Sequence, residues 1–362
     1  MNDFLFDLLQ DYEAETLYIC QDKASGLKAI IAIHDTTLGP AAGGIRMWHY
    51  PSERDAVSDA VRLARAMTYK WAAAGIDLGG GKCVVIADPN TEKTEALLRR
   101  LGQFLQRLNG QFLAGADVGT TIDDMELLAQ ECSFVVPTRE GSGASGPATA
   151  LGVIEGMRAC LQARYASPDL HGRTVAVQGI GSVGRAIVEQ LLQAGAMVTI
   201  ADIDHKSVEQ MAATSAVHIT TPEEIMKLPV DIYCPCALGA VINNTTVPEL
   251  QCQIVCGSAN NQLAEERHGE LLANRDILYA PDYIVNAGGA LWSLANRAPG
   301  GFNRQHAIDT VAHIYETTTK VIELARQERL STARAADLLA ERRIQAARVR
   351  NRIHPGAGEL RA

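Results

Sequence analysis

The feature that most constrains the fold is a glycine-rich turn between an apolar run and a helical run. Residues 174–184 read TVAVQGIGSVG, and RAIVEQLLQ follows with a helical pattern. A G-x-G-x-x-G spacing alone is a weak signal, but a strand before it and a helix after it are typical of a dinucleotide-binding turn. There Gly179 permits the tight turn, Gly181 lets the backbone approach a pyrophosphate, and Gly184 permits close packing of helix on strand. The unit predicts a Rossmann-type sheet.

The end of the next strand indicates which dinucleotide would bind. Residues 197–201 form a second strand-like run that ends at Asp202, 18 positions after Gly184. A carboxylate at that place accepts a hydrogen bond from the 2′-hydroxyl of the adenosine ribose. Asp204 adds negative charge and no arginine follows at once, so a 2′-phosphate would be repelled. The pattern predicts NAD rather than NADP.

Further strand-like runs extend this sheet. They are AVHIT near 216, VDIYC near 231, QIVCG near 253 and ILYAP near 277. With the first two they make six strands, which fits a doubly wound sheet that binds its ligand at the carboxyl ends. Those ends carry clusters of small or amide residues at 236–239, 258–261 and 286–289. Such residues are most often turn formers, but three clusters on one predicted face favour a binding role. Residues 306–350 have helical spacing.

A second feature is the stretch MTYKWAAAGIDLGGGK at 67–82, which contains Lys70, a glycine triplet and Lys82. Glycine reaches positive φ and lets the backbone come close to a ligand. The pKa of a lysine falls on burial or beside another cation, so a pair can supply one anion-binding cation and one proton carrier. Two solvated lysines around a flexible turn are the alternative. The apolar runs at 71–74 and 84–86 argue against it.

The surroundings of these lysines alternate between strands and helices. The apolar runs at 27–34 and 82–87 predict buried strands, and 111–114 predicts another. Ser52, with an acid three residues on, marks a helix start, and the apolar spacing that follows puts Lys70 near the C-terminal end of that helix. A cation there also meets the negative end of the helix dipole, so a structural role for Lys70 stays open.

Asp117 is the third residue of interest because it follows the predicted strand at 111–114. An aspartate among small residues at a strand end is most often a turn former or a helix N-cap. Near two lysines it would instead stay ionised and take a proton from a substrate amine. The residues alone leave both interpretations open.

The composition and net charge of the chain argue against some classes of binding partner. The 362 residues have 47% hydrophobic and 21% charged residues and a formal net charge of −9, which indicates a globular chain of about two domains and argues against nucleic-acid or membrane partners. We expect a cytoplasmic protein, since no basic leader and no apolar run of about 18 residues occurs. A four-thiolate site is conceivable, but we expect buried thiols and no metal at Cys234, Cys236, Cys252 and Cys256.

Seven stretches together resemble the leucine/phenylalanine/valine branch of the amino-acid dehydrogenases. They are GPAAGGIRMW (39–48), RLARAMTYKWAAAGIDLGGGK (62–82), GADVGTTIDDM (115–125), the G-x-G-x-x-G unit, PCALGAVIN (235–243), GSANNQL (257–263) and PDYIVNAGG (281–289). The resemblance covers nearly the whole chain in order. It implies NAD-dependent, reversible oxidative deamination of an L-amino acid to its 2-oxo acid and ammonia.

The resemblance also implies residue roles. Lys70 would bind the substrate carboxylate, Lys82 would be the general acid/base acting through a water on the imine carbon, and Asp117 would handle protons at the nitrogen. The implied substrate site comprises Ala42, Gly43, Gly44, Met67, Lys70, Asn261, Ala290 and Ser293. The implied cofactor site comprises Thr149, Gly179, Gly181, Ser182, Val183, Gly184, Asp202, Cys236, Ala237, Leu238, Ala259, Asn260 and Asn286.

Domain organisation follows from one linker and from the resemblance. The stretch TREGSGASGP at 138–147 has no periodicity, and we place a hinge there. We expect an α/β substrate-binding and oligomerisation domain at 1–140 and a doubly wound Rossmann domain at 141–330. A C-terminal helical segment at 331–362 is expected to return to the first domain. The resemblance implies a homo-oligomer, a dimer or an octamer.

Departures from the leucine enzymes concern the substrate side chain. Ala42 stands where a bulky aliphatic residue is common, and Ala290 and Ser293 stand where valines are common. The pocket wall that is expected to contact the substrate side chain is therefore built from smaller residues. In a substrate pocket, each methylene contact contributes only about 1–3 kcal/mol to discrimination between substrates. The lost volume therefore makes an aromatic substrate possible but does not require one. Trp71 or Trp292 can refill the space.

We therefore expect a branched-chain aliphatic substrate, with phenylalanine or tryptophan as the alternative. An acidic substrate is disfavoured because the expected wall offers no cation for a second carboxylate. A non-catalytic NAD-binding protein is a further alternative. It is motivated by Ala116, which stands where the leucine enzymes often have glutamate, and by Trp71, which stands where asparagine or a small residue is common.

Overall fold

The structure, a computed structural model, describes residues 4–136, 145–297 and 300–353. Its described residues divide into two compact units. The first comprises residues 4–136, 296–297, 300–302 and 340–353, and the second comprises residues 145–295 and 303–339. Each unit contains one sheet flanked by helices, which confirms the predicted two-domain α/β class. No helix within these residues is long and apolar enough to cross a membrane.

The first unit is built on a mixed sheet. Its strands are β1 (Thr16–Asp22), β2 (Leu27–Asp35), β3 (Ala41–Trp48), β4 (Gly79–Ile86) and β5 (Phe112–Ala116), and its helices before residue 137 are α1 (Phe4–Tyr12), α2 (Glu53–Ala73), α3 (Glu95–Arg107) and α4 (Ile122–Ala129). The strand order is β1-β2-β4-β3-β5. Strand β2 is antiparallel to β1 and β4, whereas β3 is parallel to β4 and β5.

The register of the three parallel strands positions the two predicted proton-transfer residues. Strand β3 is the middle one of these three. Its residue Ile45 pairs with Cys83 on β4 and with Ala116 on β5. Lys82 precedes the first of these partners and Asp117 follows the second. Strand order alone therefore places Lys82 and Asp117 on either side of β3.

Helix α2 packs on one face of this sheet and carries Lys70. Ser52 caps it, with its side chain accepting from the backbone N–H of Asp55, and so confirms the predicted helix start. The face toward β2 and β4 is rich in alanine, and small side chains let a helix approach a sheet closely. The buried cluster there comprises Ile30, Ala32, Ala56, Val57, Ala60, Val61, Ala64 and Val84. Lys70 lies in the last turn, as predicted.

The glycine triplet has a different role from the one expected. It forms the start of β4, and none of the three residues is among the glycines with positive φ, so the expected use of positive φ does not occur. A Cβ on Gly80 would overlap the Thr68 side chain of α2, and one on Gly81 would lie 2.7 Å from the Phe112 ring. These positions therefore require glycine because neighbouring elements pack against the backbone, not because the chain turns.

The second unit contains a parallel sheet. Its strands are β6 (Thr174–Gln178), β7 (Met197–Ala201), β8 (His218–Ile219), β9 (Ile232–Pro235), β10 (Ile254–Val255) and β11 (Leu278–Tyr279). The order β11-β10-β9-β6-β7-β8 is that of a doubly wound dinucleotide-binding fold. All six strand positions predicted from the sequence are confirmed.

Helices surround this sheet and continue to the end of the described chain. They are α5 (Gly146–Tyr165), α6 (Ser182–Gln193), α7 (His205–Thr214), α8 (Arg267–Asn274), α9 (Asp282–Val285), α10 (Gly288–Leu294), α11 (Arg304–Ala312), α12 (Ile314–Glu328) and α13 (Thr332–Ile353). The helical pattern at 306–350 is thus confirmed. Residues 340–353 of α13 belong to the first unit.

Two sequence interpretations have no structural outcome. Most of the predicted hinge at 138–147 lies outside the described residues, and so does the domain boundary at 140/141. The proposed domain limits therefore stay predictions. Strands β1 and β3 and helix α1 were among the elements not predicted; β1 is an edge strand whose side chains are mostly half-exposed, which weakens the apolar signal of a strand.

Candidate active site

A buried lysine, an arginine and an aspartate meet in the first unit. Lys82, on β4, is only 4% exposed, and its Nζ lies 2.8 Å from Oδ2 of Asp117. Arg46, on β3, donates from Nε to the same oxygen at 2.9 Å. Two cations thus share one carboxylate oxygen. The structure brings Lys82 and Asp117 together and adds Arg46.

The two cations determine the charge state of Asp117. Burial acts to raise the pKa of this carboxyl group, but the charges of Lys82 and Arg46 and their hydrogen bonds outweigh burial and lower the pKa to about 2. Asp117 is therefore ionised at any pH at which the protein would work. A permanently ionised carboxylate can hold and orient an ammonium or an amine.

The backbone of Asp117 also forms a turn. Its N–H donates to Oγ1 of Thr120 at 2.9 Å, and its carbonyl accepts from the N–H of Thr120 at 3.0 Å. The hydroxyl of Thr120 in turn donates to the carbonyl of Ile45 at 2.8 Å, which ties the turn to β3. The N-cap of α4 is Thr121, not Asp117. Asp117 is thus a turn residue through its backbone and an ion-pair residue through its side chain.

Sequence reasoning missed Arg46. Its Nη1 lies 3.1 Å from Oδ2 of Asp59 on α2, and Asp59 also accepts from the hydroxyl of Tyr50 at 2.7 Å. Burial acts to raise the pKa of Asp59, but Tyr50 and the nearby arginines lower it below the ordinary value. Asp59 therefore stays ionised and anchors the far side of the guanidinium. A charged residue in the otherwise buried strand β3 was the available signal.

Gly44 lies next to the Lys82–Asp117 pair and has no side chain that would occupy the same space. It lies two residues before Arg46 on β3 and so faces the same side of the sheet. A Cβ at this position would lie 2.6 Å from Cβ of Asp117 and 3.2 Å from Nζ of Lys82. The first distance is shorter than real side chains adopt. Gly44 thus leaves space for the Lys82–Asp117 pair.

Lys70 and Met67 share one face of α2 because they are three residues apart. Both are half-buried. A Cβ on Gly43 would meet Cγ of Met67 at 3.4 Å, so Met67 packs beside Gly43. Three of the predicted substrate-site residues, Gly43, Met67 and Lys70, therefore lie in one region where α2 meets β3.

Trp71 fills space beside Ala42. Its indole Nε1 donates to the carbonyl oxygen of Ala42 at 3.0 Å, and both residues are 4% exposed. The indole thus occupies volume next to Ala42, which is one of the three small residues of the predicted pocket wall. Ala290 and Ser293 lie three apart on α10 in the second unit, which puts them on one helix face, and both are half-buried.

The glycine-rich turn of the second unit has the geometry expected for a dinucleotide. Gly179 has φ +105, and a Cβ on Gly184 would overlap the carbonyl oxygen of Gly179. At Gly181, the N-cap of α6, an added Cβ would meet no protein atom within 4 Å. Packing against neighbouring atoms explains Gly179 and Gly184. Gly181 instead keeps open space in front of the N-terminus of α6. Ser182 and Val183 form the first turn there, whose N–H groups suit a pyrophosphate.

Asp202 connects this turn to the end of β7. Its Oδ2 accepts from the N–H of Ile180 at 2.5 Å and its Oδ1 from the N–H of Asp204 at 2.9 Å. These bonds fix the carboxylate beside the turn while leaving it half-exposed. The carboxylate thus lies beside the glycine-rich turn, where a contact of Asp202 with the ribose is predicted.

An asparagine pair joins two of the predicted clusters. Nδ2 of Asn286 donates to Oδ1 of Asn260 at 2.8 Å and to the carbonyl of Ser258 at 3.2 Å. Asn286 is 7% exposed and Ala259 is 4% exposed, whereas Asn260 is exposed. Asn261 has φ +52, which asparagine tolerates better than most residues. The structure thus gathers these amide groups at one place in the second unit.

Two of the remaining predicted cofactor residues, Cys236 and Ala237, border the glycine-rich turn. Ala237 lies against Gly179, since a Cβ there would be 2.8 Å from the N–H nitrogen of Ala237. Leu238 is 77% exposed. Thr149, on α5, lies beside Gly289 and donates to the carbonyl of Ser145 at 3.1 Å.

The cysteines of the second unit are free thiols. Sγ of Cys234 lies 3.4 Å from Sγ of Cys236, and Cys252 and Cys256 are buried. Burial raises the pKa of Cys252 to about 12, so this thiol stays protonated. Within the part of the chain that the structure describes, no group of three or more candidate ligands is arranged to hold a metal ion.

Known proteins share both units of this chain. A family model described as Glu/Leu/Phe/Val dehydrogenase, dimerisation domain, matches residues 15–134, and one described as Glutamate/Leucine/Phenylalanine/Valine dehydrogenase matches residues 141–205 and 200–351. A leucine dehydrogenase from Bacillus cereus is 47% identical over 343 residues, which covers 94% of this chain and 93% of that protein. A phenylalanine dehydrogenase from Caldalkalibacillus thermarum is 42% identical over 353 residues, covering 95% and 94%.

A solved structure extends the likeness to three dimensions. The L-tryptophan dehydrogenase from Nostoc punctiforme is 43% identical over 341 residues, which covers 94% of this chain and 96% of that protein. Its crystal structure matches with a TM-score of 0.83 at 41% identity, over 95% of this chain and 99% of that one. The likeness therefore extends over nearly the full length of both proteins.

Proposed function

Because this chain belongs to the glutamate/leucine/phenylalanine/valine dehydrogenase family of oxidoreductases, we propose that it catalyses the NAD-dependent, reversible oxidative deamination of a neutral, apolar L-amino acid. The products are the 2-oxo acid, ammonia and NADH. One observation carries the proposal: the buried ion pair of Lys82 and Asp117, whose nitrogen and oxygen are 2.8 Å apart. A bound NAD supplies the hydride acceptor, and the residues of the chain bind substrate and move protons.

Lys82 is the proposed general acid/base. When a hydride has left the Cα of the amino acid, the resulting imine needs a water to attack its carbon and a group to take a proton from that water. Lys82 is buried and held by Asp117, so its Nζ has a fixed place for this task.

Asp117 is proposed to handle protons at the substrate nitrogen. Its low pKa keeps it ionised, so it can accept hydrogen bonds from the substrate ammonium and later from the departing ammonia. Arg46 is proposed as a residue that holds this carboxylate in place. Its second contact, to Asp59, fixes the guanidinium to α2.

Lys70 is proposed to bind the substrate carboxylate, with Gly43 and Met67 beside it. An ammonium on a helix gives the carboxylate a partner of fixed direction. Binding at one end of the amino acid would then orient Cα for hydride loss, which is the usual benefit of anchoring a non-reacting group.

NAD is the proposed cofactor rather than NADP. Supporting this, Asp202 is fixed beside the glycine-rich turn by bonds to Ile180 and Asp204, and Gly181 leaves space at the N-terminus of α6. The amide cluster of Asn260 and Asn286, with Asn261 and Thr149, is proposed for the nicotinamide and substrate side.

A branched-chain aliphatic side chain is the proposed substrate feature, because the Trp71 indole takes up volume next to Ala42. An aromatic side chain is the second candidate. It is favoured by the small residues Ala290 and Ser293 on one face of α10. Phenylalanine and tryptophan dehydrogenases among the relatives support keeping this alternative.

We also propose that the protein assembles as a homo-oligomer, a dimer or an octamer, through the first unit. The match of residues 15–134 to a family model described as a dimerisation domain supports this. Light scattering coupled to gel filtration tests it, and a monomer at micromolar concentration would refute it.

The proposed reaction is tested by following NADH absorbance at alkaline pH with L-leucine, L-valine, L-phenylalanine, L-tryptophan and L-glutamate. We expect turnover with NAD, highest for leucine or valine and lowest for glutamate, and much weaker turnover with NADP. Absence of turnover with every aliphatic and aromatic amino acid, while calorimetry shows NAD binding, would instead favour a non-catalytic NAD-binding protein.

A further inference from the structure

The C-terminal helix holds the turn that follows α2. Arg343, on α13, donates from Nη1 to the carbonyl of Ile76 at 2.6 Å and from Nη2 to the carbonyl of Gly75 at 2.9 Å and to Oδ1 of Asp77 at 2.6 Å. Its Nη1 also lies 3.3 Å from the carbonyl of Ala72. One guanidinium thus contacts the last turn of α2 and the loop after it.

This turn is the connection between the two lysines of the proposed site. Gly75, with φ +78, ends α2, and the N–H of Ile76 bonds to the carbonyl of Trp71 at 3.0 Å, which is a left-handed helix ending. Lys70 lies in the last turn before it, and β4 with Lys82 begins at Gly79. A shift of this turn would therefore move the end of α2 that carries Lys70.

The same helix also holds the neighbouring loop. Nη2 of Arg348 lies 2.6 Å from Oδ2 of Asp35, and Nδ2 of Asn351 donates to the carbonyl of Thr37 at 3.0 Å. This loop leads into β3, and a Cβ on Gly39 would overlap the carbonyl oxygen of Asp77. Residues 340–353 of α13 thus contact two adjoining loops, which lead from α2 and into the strand of Gly43.

We propose that Arg343 is a positioning residue that fixes the end of α2, and thereby Lys70, for binding of the substrate carboxylate. The inference rests on the proposed function, since it takes Lys70 as the carboxylate-binding residue. Arg343 itself lies behind the turn and acts through the backbone. It therefore controls affinity for the amino acid rather than the chemical step.

The contacts require an arginine at this position. A guanidinium presents five N–H donors in a planar fork and reaches several acceptors at once, whereas an ammonium has three donors around one point. Burial lowers the pKa of Arg343 below its ordinary value; Asp77 opposes this effect and the charge of Arg350 adds to it. A cation at this helix end is further stabilised by the negative end of the α2 dipole.

The test compares Arg343→Met and Arg343→Lys with Arg350→Met. Arg350 is exposed on the same helix, so its substitution removes the same charge without touching the turn. For each variant we would measure kcat, KM for the amino acid and KM for NAD with the best substrate of the wild type. We expect Arg343→Met to raise the amino-acid KM about tenfold or more, with the NAD KM changed less than about twofold and kcat largely kept. Arg343→Lys should fall between.

The outcomes separate this inference from the proposed function. A wild type that oxidises no amino acid refutes the proposed function. A wild type that is active while Arg343→Met keeps its amino-acid KM, or loses amino-acid and NAD affinity in parallel, refutes the positioning role alone. If Arg343→Met does not fold, Arg343→Lys decides: an unchanged amino-acid KM in that variant refutes the role, and a selective increase supports it.

Discussion

The ammonium nitrogen of Lys82 lies 2.8 Å from Oδ2 of Asp117, inside a sheet where the lysine is only 4% exposed. A buried lysine without an anion would be costly, and a buried aspartate without a cation would be equally so. The two side chains therefore stabilise each other inside the sheet, and the cation keeps Asp117 ionised. Arg46 adds a second cation at 2.9 Å and makes the aspartate the centre of the group.

Replacing Asp117 by asparagine should destabilise the fold, because Lys82 and Arg46 would then face each other without their shared anion. Removing one partner of a buried ion pair typically costs about 3–5 kcal/mol. We expect urea denaturation at neutral pH to show a fall of about 3 kcal/mol in the free energy of unfolding. Asp11→Asn, at an exposed position of α1, should change it by less than about 0.5 kcal/mol. Equal effects of the two variants would contradict the account.

The pH dependence of this loss follows from the pKa of Asp117. The folded-state pKa of about 2 is below the ordinary value of 3.8, so the stabilisation is present above the unfolded-state pKa and is lost as pH falls through the folded-state pKa. The shift corresponds to about 2 kcal/mol. We expect the wild type and Asp117→Asn to differ less in free energy of unfolding as pH is lowered from about 6 toward 2. A difference that stays constant over this range would show that the carboxylate charge is not its source.

Replacing Gly44 by alanine should displace Asp117 from Lys82. The new Cβ would lie 2.6 Å from Cβ of Asp117, which is too close, so the aspartate must move. Misplacement of catalytic groups by about 1 Å can cost about 100-fold in rate, and we expect a loss of that order in kcat. Lys28→Ala, at an exposed position of β2 in the same sheet, is the control. Similar kcat values for the two variants would contradict the prediction.

Gly181→Ala separates cofactor binding from folding. The position has no positive φ, and an added Cβ would meet no protein atom within 4 Å, so the free energy of unfolding without cofactor should change by less than about 0.5 kcal/mol. The methyl group would nevertheless stand where the backbone is expected to approach the pyrophosphate. Calorimetry should therefore show weaker NAD binding. Unchanged affinity would place the dinucleotide elsewhere.

The sequence predicted the second unit well because its signals are local. A strand, the spacing of Gly179, Gly181 and Gly184, and a helix lie within twenty residues, and Asp202 marks the end of the next strand. Strand order then follows from the fold to which this motif belongs. Lys82 and Asp117 were also predicted, since each is a charged residue beside an apolar run.

Other parts of the site depend on neighbours that are distant in the sequence. The glycine triplet suggested backbone with positive φ close to a ligand, but Gly80 and Gly81 are required by contact with Thr68 and Phe112, which no local pattern reveals. Arg46 was missed because its partner Asp117 lies 71 residues away in the sequence. The contacts of Arg343 with the end of α2 join segments more than 260 residues apart, so only the structure could indicate them.

The central claim is that Lys82 carries protons in the reaction and does not merely neutralise Asp117. It is tested most directly by measuring kcat for Lys82→Ala with the best amino acid, alongside NAD binding by calorimetry and Lys28→Ala as a control at an exposed position of β2. We expect turnover to be abolished in Lys82→Ala while NAD still binds, and Lys28→Ala to behave as the wild type. Near-normal turnover of Lys82→Ala would contradict the account.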